Sequence, residues 1–308
     1  MSGADVSVEL LGMRLESPLL LASGVLGETG PSMLRVLEAG AAGVVTKSIG
    51  PEPRDGHPNP TVVDLGPSMV NAMGLPNPGA EAFSEELAWL RERTDRPVIA
   101  SVFGADPGEY ASVAGRLAPL VDAVELNLSC PHAQGYGAEL GSDPDMLERV
   151  VRSVVGAVEV PVLAKLTPNT SDIVALARAA ERGGASGLVA VNTLRGMVVD
   201  VEMGVPALAN AYGGLSGDGI RAVGVRCVHE IASSVDLPVV GVGGVSTAEH
   251  ALEYLMAGAT AVQVGTAVKS RGVQVFSAIA QELERWLDSH GHVSLTEVQG
   301  ALLRGDRA

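Results

Sequence analysis

The sequence predicts an α/β fold, a (β/α)8 TIM barrel with an N-terminal β-hairpin and long βα loops over the barrel mouth, and three observations carry that prediction. Apolar, β-rich runs recur eight times, each followed by a segment with helical spacing, which is how βαβ units around a parallel sheet are written. The runs are almost continuously hydrophobic, as strands buried on both faces are. With 308 residues, 38 glycines, 46% hydrophobic and only 3% aromatic content, the chain suits one core of Val, Leu, Ile and Ala in barrel layers. It is read as a single domain over residues 1–308.

In order, the chain opens with segments 6–10 and 13–15 alternating around Gly12, a small hairpin that closes the barrel bottom. The eight runs expected as barrel strands cover 18–24, 43–48, 97–103, 123–128, 161–166, 187–192, 238–243 and 261–265. Amphipathic helical segments cover 31–39, 81–93, 107–117, 144–157, 171–182, 218–234, 247–256 and 274–287. Asp143-Pro144 places a capping acceptor directly before a proline at the first helical position. One more short helix is expected after Ser289. The connections 49–79 and 194–217 are too long for ordinary barrel turns. Both leave strand C-terminal ends, where barrel active sites lie, and are read as substrate-covering loops.

A net charge of −15 argues against nucleic acid or an anionic membrane as partner, because phosphates would be repelled. A small ligand fits better. Cys130 and Cys227 are the only cysteines, too few for a disulfide framework, a zinc site or an iron–sulfur cluster; no metal is expected, and a reducing cytoplasm is. The N-terminus lacks the basic-then-apolar order of a signal peptide, and no apolar stretch approaches the ~20 residues that span a bilayer. Lysine occurs only at Lys47, Lys165 and Lys269. Acidic charge with few lysines fits a high-salt cytoplasm, and a GC-rich genome gives the same deficit.

The last residues of the predicted strands form one polar set: Ser23, Lys47, Ser101, Asn127, Ser129, Cys130, Lys165, Asn192, Thr193, Gly243, Gly244, Gly265 and Thr266. In a (β/α)8 barrel these converge on one mouth. Lysines and asparagines buried unpaired among aliphatics cost several kcal/mol each, roughly, which a bound polar ligand would offset. Each residue also has a plainer reading. Lys47 reads equally as a strand-end lysine reaching solvent, whereas Lys165 lies mid-strand with apolar neighbours on every side. Cys130 alone would pass for a small buried hydrophobe; following Asn127 and Ser129, and opening a Gly-containing loop over 133–141, it reads as reactive. Cys227 reads as inert core. Small residues at 241–247 and 263–268, each before a helix start, mark where barrels bind phosphate. His132 reads as either a catalytic acid or an ordinary loop residue.

These segments resemble the class 1 dihydroorotate dehydrogenases from about Val6 to Trp286. The carriers are LLLASG (19–24), VVTKSIG (44–50), NAMGLPNPG (71–79), VELNLSCP (124–131), LAKLTPN (163–169), VAVNT (189–193), GGLSG (213–217), VGVGGV (240–245) and QVGTA (263–267). NAMGLPNPG and NLSCP together are highly specific. The resemblance implies FMN across the barrel mouth, its phosphate at Gly243, Gly244, Gly265 and Thr266 with Gly217 alongside. Ser23, Ser48, Ser101, Asn127 and Val191 would line the flavin, and Lys165 would stabilise the anion formed on reduction. Lys47 would touch both flavin and substrate. Asn71, Ala72, Met73, Gly74, Leu75, Asn127, Asn192 and Thr193 would hold dihydroorotate, and Cys130 would be the catalytic base, taking the C5 proton while a hydride leaves C6 for the flavin.

His132 and Ser101 stand where the family commonly has asparagine, and the SCPH spelling also occurs in dihydropyrimidine dehydrogenases, which reduce uracil or thymine. NAMGLPNPG is the dihydroorotate type. The pattern is closest to class 1B, whose catalytic subunit pairs with a second protein carrying FAD and a [2Fe–2S] cluster that passes electrons to NAD; a homodimer of the catalytic chain is also implied. The membrane-bound class 2 enzymes carry an N-terminal extension and a serine base, neither of which is seen here. A non-redox phosphate-binding barrel, an aldolase or epimerase with Lys165 as Schiff-base lysine, would use the same glycines. A flavin-binding subunit without turnover is the third reading.

Overall fold

Eight parallel strands close into a barrel in the computed structural model, which describes residues 3–128 and 141–305. The hairpin comes first, β1 (Val8–Leu10) and β2 (Met13–Leu15), turning through Leu11 and Gly12 at positive φ. Then follow β3 (Leu19–Leu21), α1 (Gly30–Glu38), β4 (Gly43–Val45), β5 (Val62–Leu65), β6 (Ser68–Asn71) and α2 (Ala80–Arg91). The middle of the chain supplies β7 (Val98–Val102), α3 (Pro107–Leu117), β8 (Ala123–Asn127), α4 (Pro144–Val155), β9 (Val162–Leu166) and α5 (Ile173–Gly183). Next are β10 (Gly187–Ala190), β11 (Leu194–Met197), β12 (Val199–Asp200), β13 (Val205–Pro206), β14 (Tyr212–Gly217) and α6 (Arg221–Ala232). The chain ends with β15 (Val239–Val242), α7 (Ala248–Met256), β16 (Ala259–Val264), α8 (Ala267–Arg271), α9 (Val275–His290) and α10 (Ala301–Gly305).

The barrel runs β3-β4-β7-β8-β9-β10-β15-β16 in chain order, and β16 closes on β3 with Val264 beside Leu21. Helices cover it through one apolar stripe each. In α4 that stripe is Leu147, Val150, Val151 and Val154, spaced one helical turn apart, and burying each is worth about 1.5–3 kcal/mol relative to exposure. The cap expected at Asp143 is present: its carboxylate accepts from the amides of Asp145 and Met146, with Pro144 in the first turn.

Strand and helix positions agree with the sequence expectation to within a few residues, and the departures have local causes. β16 starts at Ala259 rather than 261, because Gly258 turns the chain at φ +116° and Ala259 is already buried. The helix expected over 218–234 begins as a 3-10 turn, Asp218–Ile220, before α6; the Gly219 amide donates to Ser68 Oγ at 2.9 Å instead of continuing a helical ladder. The short α8 was not anticipated.

The two long connections correct the sequence reading most. They are not irregular loops: β5, β6, β11 and β14 form one antiparallel sheet in the order β11-β14-β6-β5. β5 and β6 turn through Gly66 at φ +78°, pairing Val63 with Val70, while β14 pairs Gly214 with Asn71 and Gly217 with Ser68. Val70, Ala72 and Leu208 make a small second core beneath, packed by Val63, Val198 and Leu215. These strands are half-solvated, so they lack the continuous apolar runs that marked the barrel strands.

Candidate active site

A cavity of about 390 Å³ opens at the C-terminal ends of the barrel strands. Its wall includes Ser23, Lys47, Ser48, Asn71, Ala72, Met73, Gly74, Leu75, Asn127, Lys165, Val191, Asn192, Thr193, Gly217, Gly243, Gly244, Gly265 and Thr266. Every one was singled out in the sequence. Ser101 stands apart from the lining: it is fully buried, one layer back, with its Oγ 2.9 Å from Ser48 Oγ. Ser129, Cys130 and His132 lie outside the described residues, so the base expected at Cys130 is not placed.

On one side a chain of hydrogen bonds crosses three strand ends. Asn127 Nδ2 donates to Ser48 Oγ at 2.9 Å, Asn192 Nδ2 donates to Asn127 Oδ1 at 3.1 Å, and Asn192 Oδ1 accepts from the Thr193 amide at 2.8 Å. Behind it, the Ser101 amide donates to Thr46 Oγ1 and Tyr110 donates to the Asn127 carbonyl. The side chains are thereby fixed before any ligand arrives, and Asn127 is 7% exposed. The 71–75 segment is braced too: the His57 amide donates to the Met73 carbonyl, and Asn77 Nδ2 donates to that of Leu75.

At the opposite end glycines approach one another too closely for side chains. A Cβ on Gly217, at φ +84°, would lie 2.3 Å from the Pro67 carbonyl oxygen, and one on Gly244, at φ +72°, 2.8 Å from that of Gly217. Thr266 Oγ1 donates to Ser216 Oγ at 2.9 Å. Tyr254, buried beneath, donates to the Gly243 carbonyl at 2.7 Å. The result is a backbone-walled hollow suited to a phosphate group.

The floor differs from the sequence reading. Lys165 was expected to have only apolar surroundings, yet its Nζ donates to Glu125 Oε1 and Gln263 Oε1, each at 3.1 Å, while Gln263 Nε2 donates to Glu125 Oε2 at 2.6 Å. A carboxylate partner, not only a ligand, offsets the cost of burying this ammonium. Lys47, 5% exposed, pairs with Glu28 at 2.9 Å on the cavity wall. Ser216 in the hollow, Glu28 on the wall, and Glu125 and Gln263 beneath the floor are polar residues the sequence reading passed over. The last two carried a signal, a charged and an amide residue inside the apolar strands β8 and β16.

A floor ammonium, a glycine hollow at one end and a braced amide wall at the other are the parts a phosphate-bearing planar cofactor and a polar ring substrate require. The profile of one family, dihydroorotate dehydrogenase, matches residues 5–287. The chain belongs to the dihydroorotate dehydrogenase family. It is 51% identical over 94% of its length to the dihydroorotate dehydrogenase B (NAD(+)), catalytic subunit, of Methanosarcina mazei, covering 93% of that protein. The proteins of the same name from Pyrococcus abyssi and Thermoplasma acidophilum are 48% and 46% identical, over 97% and 98% of this chain and 99% and 100% of theirs. These relatives carry the class 1B name, in agreement with the sequence resemblance. As a dihydroorotate dehydrogenase the chain is an oxidoreductase of a flavin-dependent family.

Proposed function

We propose that this chain is the FMN-bearing catalytic subunit that oxidises (S)-dihydroorotate to orotate in pyrimidine (UMP) biosynthesis, working as a single barrel domain over residues 1–308. The observation that carries the reading is one cavity with a glycine hollow at one end, Lys165 on its floor and the Asn127–Asn192 amide pair on its wall. FMN supplies the acceptor for the hydride that leaves C6. Gly217, Gly243, Gly244, Gly265 and Thr266 hold its phosphate. Ser23, Ser48, Asn127 and Val191 line its ring, with Ser101 acting through Ser48.

Asn71, Asn127, Asn192 and Thr193, with the backbone of 72–75, grip the imide edge and carboxylate of the substrate by donors and acceptors in fixed geometry. Lys47 adds the positive charge the carboxylate needs. Cys130 removes the C5 proton as the C6 hydride departs, so that the C5–C6 double bond forms and charge balances. Lys165 would offset the negative charge that FMN gains on reduction, and in a dry cavity that attraction is stronger than in water. A partner subunit carrying FAD and a [2Fe–2S] cluster would take the electrons on toward NAD; the chain itself is cytoplasmic and a homodimer. Among the described residues no helix is long and apolar enough to cross a membrane.

The test is an anaerobic absorbance spectrum before and after adding L-dihydroorotate. Flavin bands near ~375 and ~450 nm that bleach support the reading. If reduced protein is reoxidised by uracil and untouched by orotate, the dihydropyrimidine alternative replaces it. A colourless protein unable to take up FMN returns the site to non-redox barrel chemistry.

A further inference from the structure

Below the cavity floor, Glu125 and Gln263 have no place in the mechanism above, yet they occupy the centre of the barrel. β8 and β16 lie four strands apart in either direction around the closed sheet. The 2.6 Å hydrogen bond between Gln263 and Glu125 therefore spans the barrel across its diameter. Both side chains are sealed from solvent, at 0% and 1% exposure, and neither reaches the cavity wall. Lys165 does reach it. In register Lys165 lies beside Asn127, two positions nearer the mouth than Glu125.

An ammonium has three N–H groups at tetrahedral angles. Two are taken by Glu125 Oε1 and Gln263 Oε1, below the floor, which leaves one N–H on a residue that lines the cavity. Gln263 works at both ends, donating to one carboxylate oxygen and accepting from the ammonium, so it prevents the carboxylate from rotating away. The trio is neutral as a whole but polarised, with its positive end at the cavity and its negative end in the core. Aliphatic side chains of similar volume would fill the layer without any desolvation cost. They would not present an aimed charge.

We infer that Glu125 and Gln263 are positioning residues that hold the Lys165 ammonium with one N–H aimed into the cavity, and thereby set how strongly the protein prefers reduced over oxidised flavin. The inference rests on the reading that the cavity takes FMN, and its test separates the two. Flavin-free protein labelled with 15N-lysine carries the label on only three ammonium groups, at Lys47, Lys165 and Lys269, assigned through Lys47→Arg and Lys269→Arg. The Lys165 signal is expected to be protected from solvent exchange and to lose that protection in Glu125→Gln and in Gln263→Leu.

In FMN-loaded protein the midpoint potential of Gln263→Leu, which keeps the Glu125–Lys165 charge pair and removes only its alignment, should fall by at least ~30 mV, the two-electron equivalent of a tenfold loss in preference for reduced flavin, while oxidised FMN binds within threefold of native affinity. Gln263→Asn should recover part of the fall. A folded Gln263→Leu protein with unchanged or raised potential, or a Lys165 ammonium that exchanges freely in the native protein, overturns the positioning role. Should Gln263→Leu not fold, the charge-conserving Glu125→Asp is read by the same criteria. Failure of native protein to take up FMN sinks the functional reading instead, and leaves the exchange measurement to decide the geometry.

Discussion

Lys165 could be picked out of the sequence because a charge inside LAKLTPN has no solvent to reach, and its position on the cavity floor agrees with that logic. Its partners could not be paired with it from sequence. Glu125 and Gln263 sit 40 and 98 residues away, on strands whose facing depends on barrel closure, and Glu125 is overshadowed by the more conspicuous NLSCP that follows it. At the cavity wall, Glu28 engages Lys47 where the substrate carboxylate is proposed to bind. Glu28→Gln should free that ammonium and lower the KM for dihydroorotate severalfold with little change in kcat; a raised KM would mean that Glu28 helps hold Lys47 in place. For Cys130, the replacement Cys130→Ala should retain FMN yet nearly abolish bleaching by dihydroorotate in stopped flow. With a thiol whose reference pKa is ~8.5, the rate of reduction should rise toward alkaline pH, and Cys130→Ser should move that rise higher.

Elements with buried faces were legible, since a strand covered on both sides must be apolar throughout and a helix on a barrel must repeat every turn. The sheet formed by β5, β6, β11 and β14 was not, because one of its faces is wet and its pairing joins segments more than a hundred residues apart. Its glycines are nonetheless where an element-scale prediction can be made. Gly217→Ala brings a methyl to 2.3 Å from a carbonyl oxygen at a backbone angle hostile to side chains. The end of β14 must therefore shift, and FMN affinity should fall at least tenfold by fluorescence titration, with the barrel's circular dichroism retained. Tyr254→Phe removes the donor to the Gly243 carbonyl and leaves that acceptor buried, which costs about 1–3 kcal/mol. A lowered Tm with weaker FMN retention is expected; an unchanged Tm would show the carbonyl finds another donor.

At the scale of the whole molecule, burial pushes the Cys227 thiol and the Tyr254 phenol above their ordinary values. As pH rises the unfolded chain gives up these protons first, so their contribution to stability is complete below those values and drains away above them. Thermal midpoints should drop between about pH 8 and about pH 11, less steeply in Cys227→Ala. The same molecule, purified alone, should be reduced by dihydroorotate and yet fail to pass electrons to NAD; NADH formation by the isolated chain would remove the need for a partner. Composition foretold a layered aliphatic interior, which the buried core bears out residue by residue. It was silent on the polar trio at the centre, three residues among 308 that leave averages untouched.

Barrel enzymes are often treated as a fixed scaffold with eight interchangeable loops, each open to exchange by itself. Here the chain that leaves β4 and the chain that leaves β10 are hydrogen-bonded into one sheet, and its central strands end at the cavity wall, Asn71, and at the glycine hollow, Gly217. Lys269 bolts that sheet to α8 through Asp64 and the Gly66 carbonyl. The smallest transplantable unit is therefore the pair of excursions together with the start of α8. A chimera that takes only one of them would inherit half a sheet, with an unpaired edge over the mouth of the barrel.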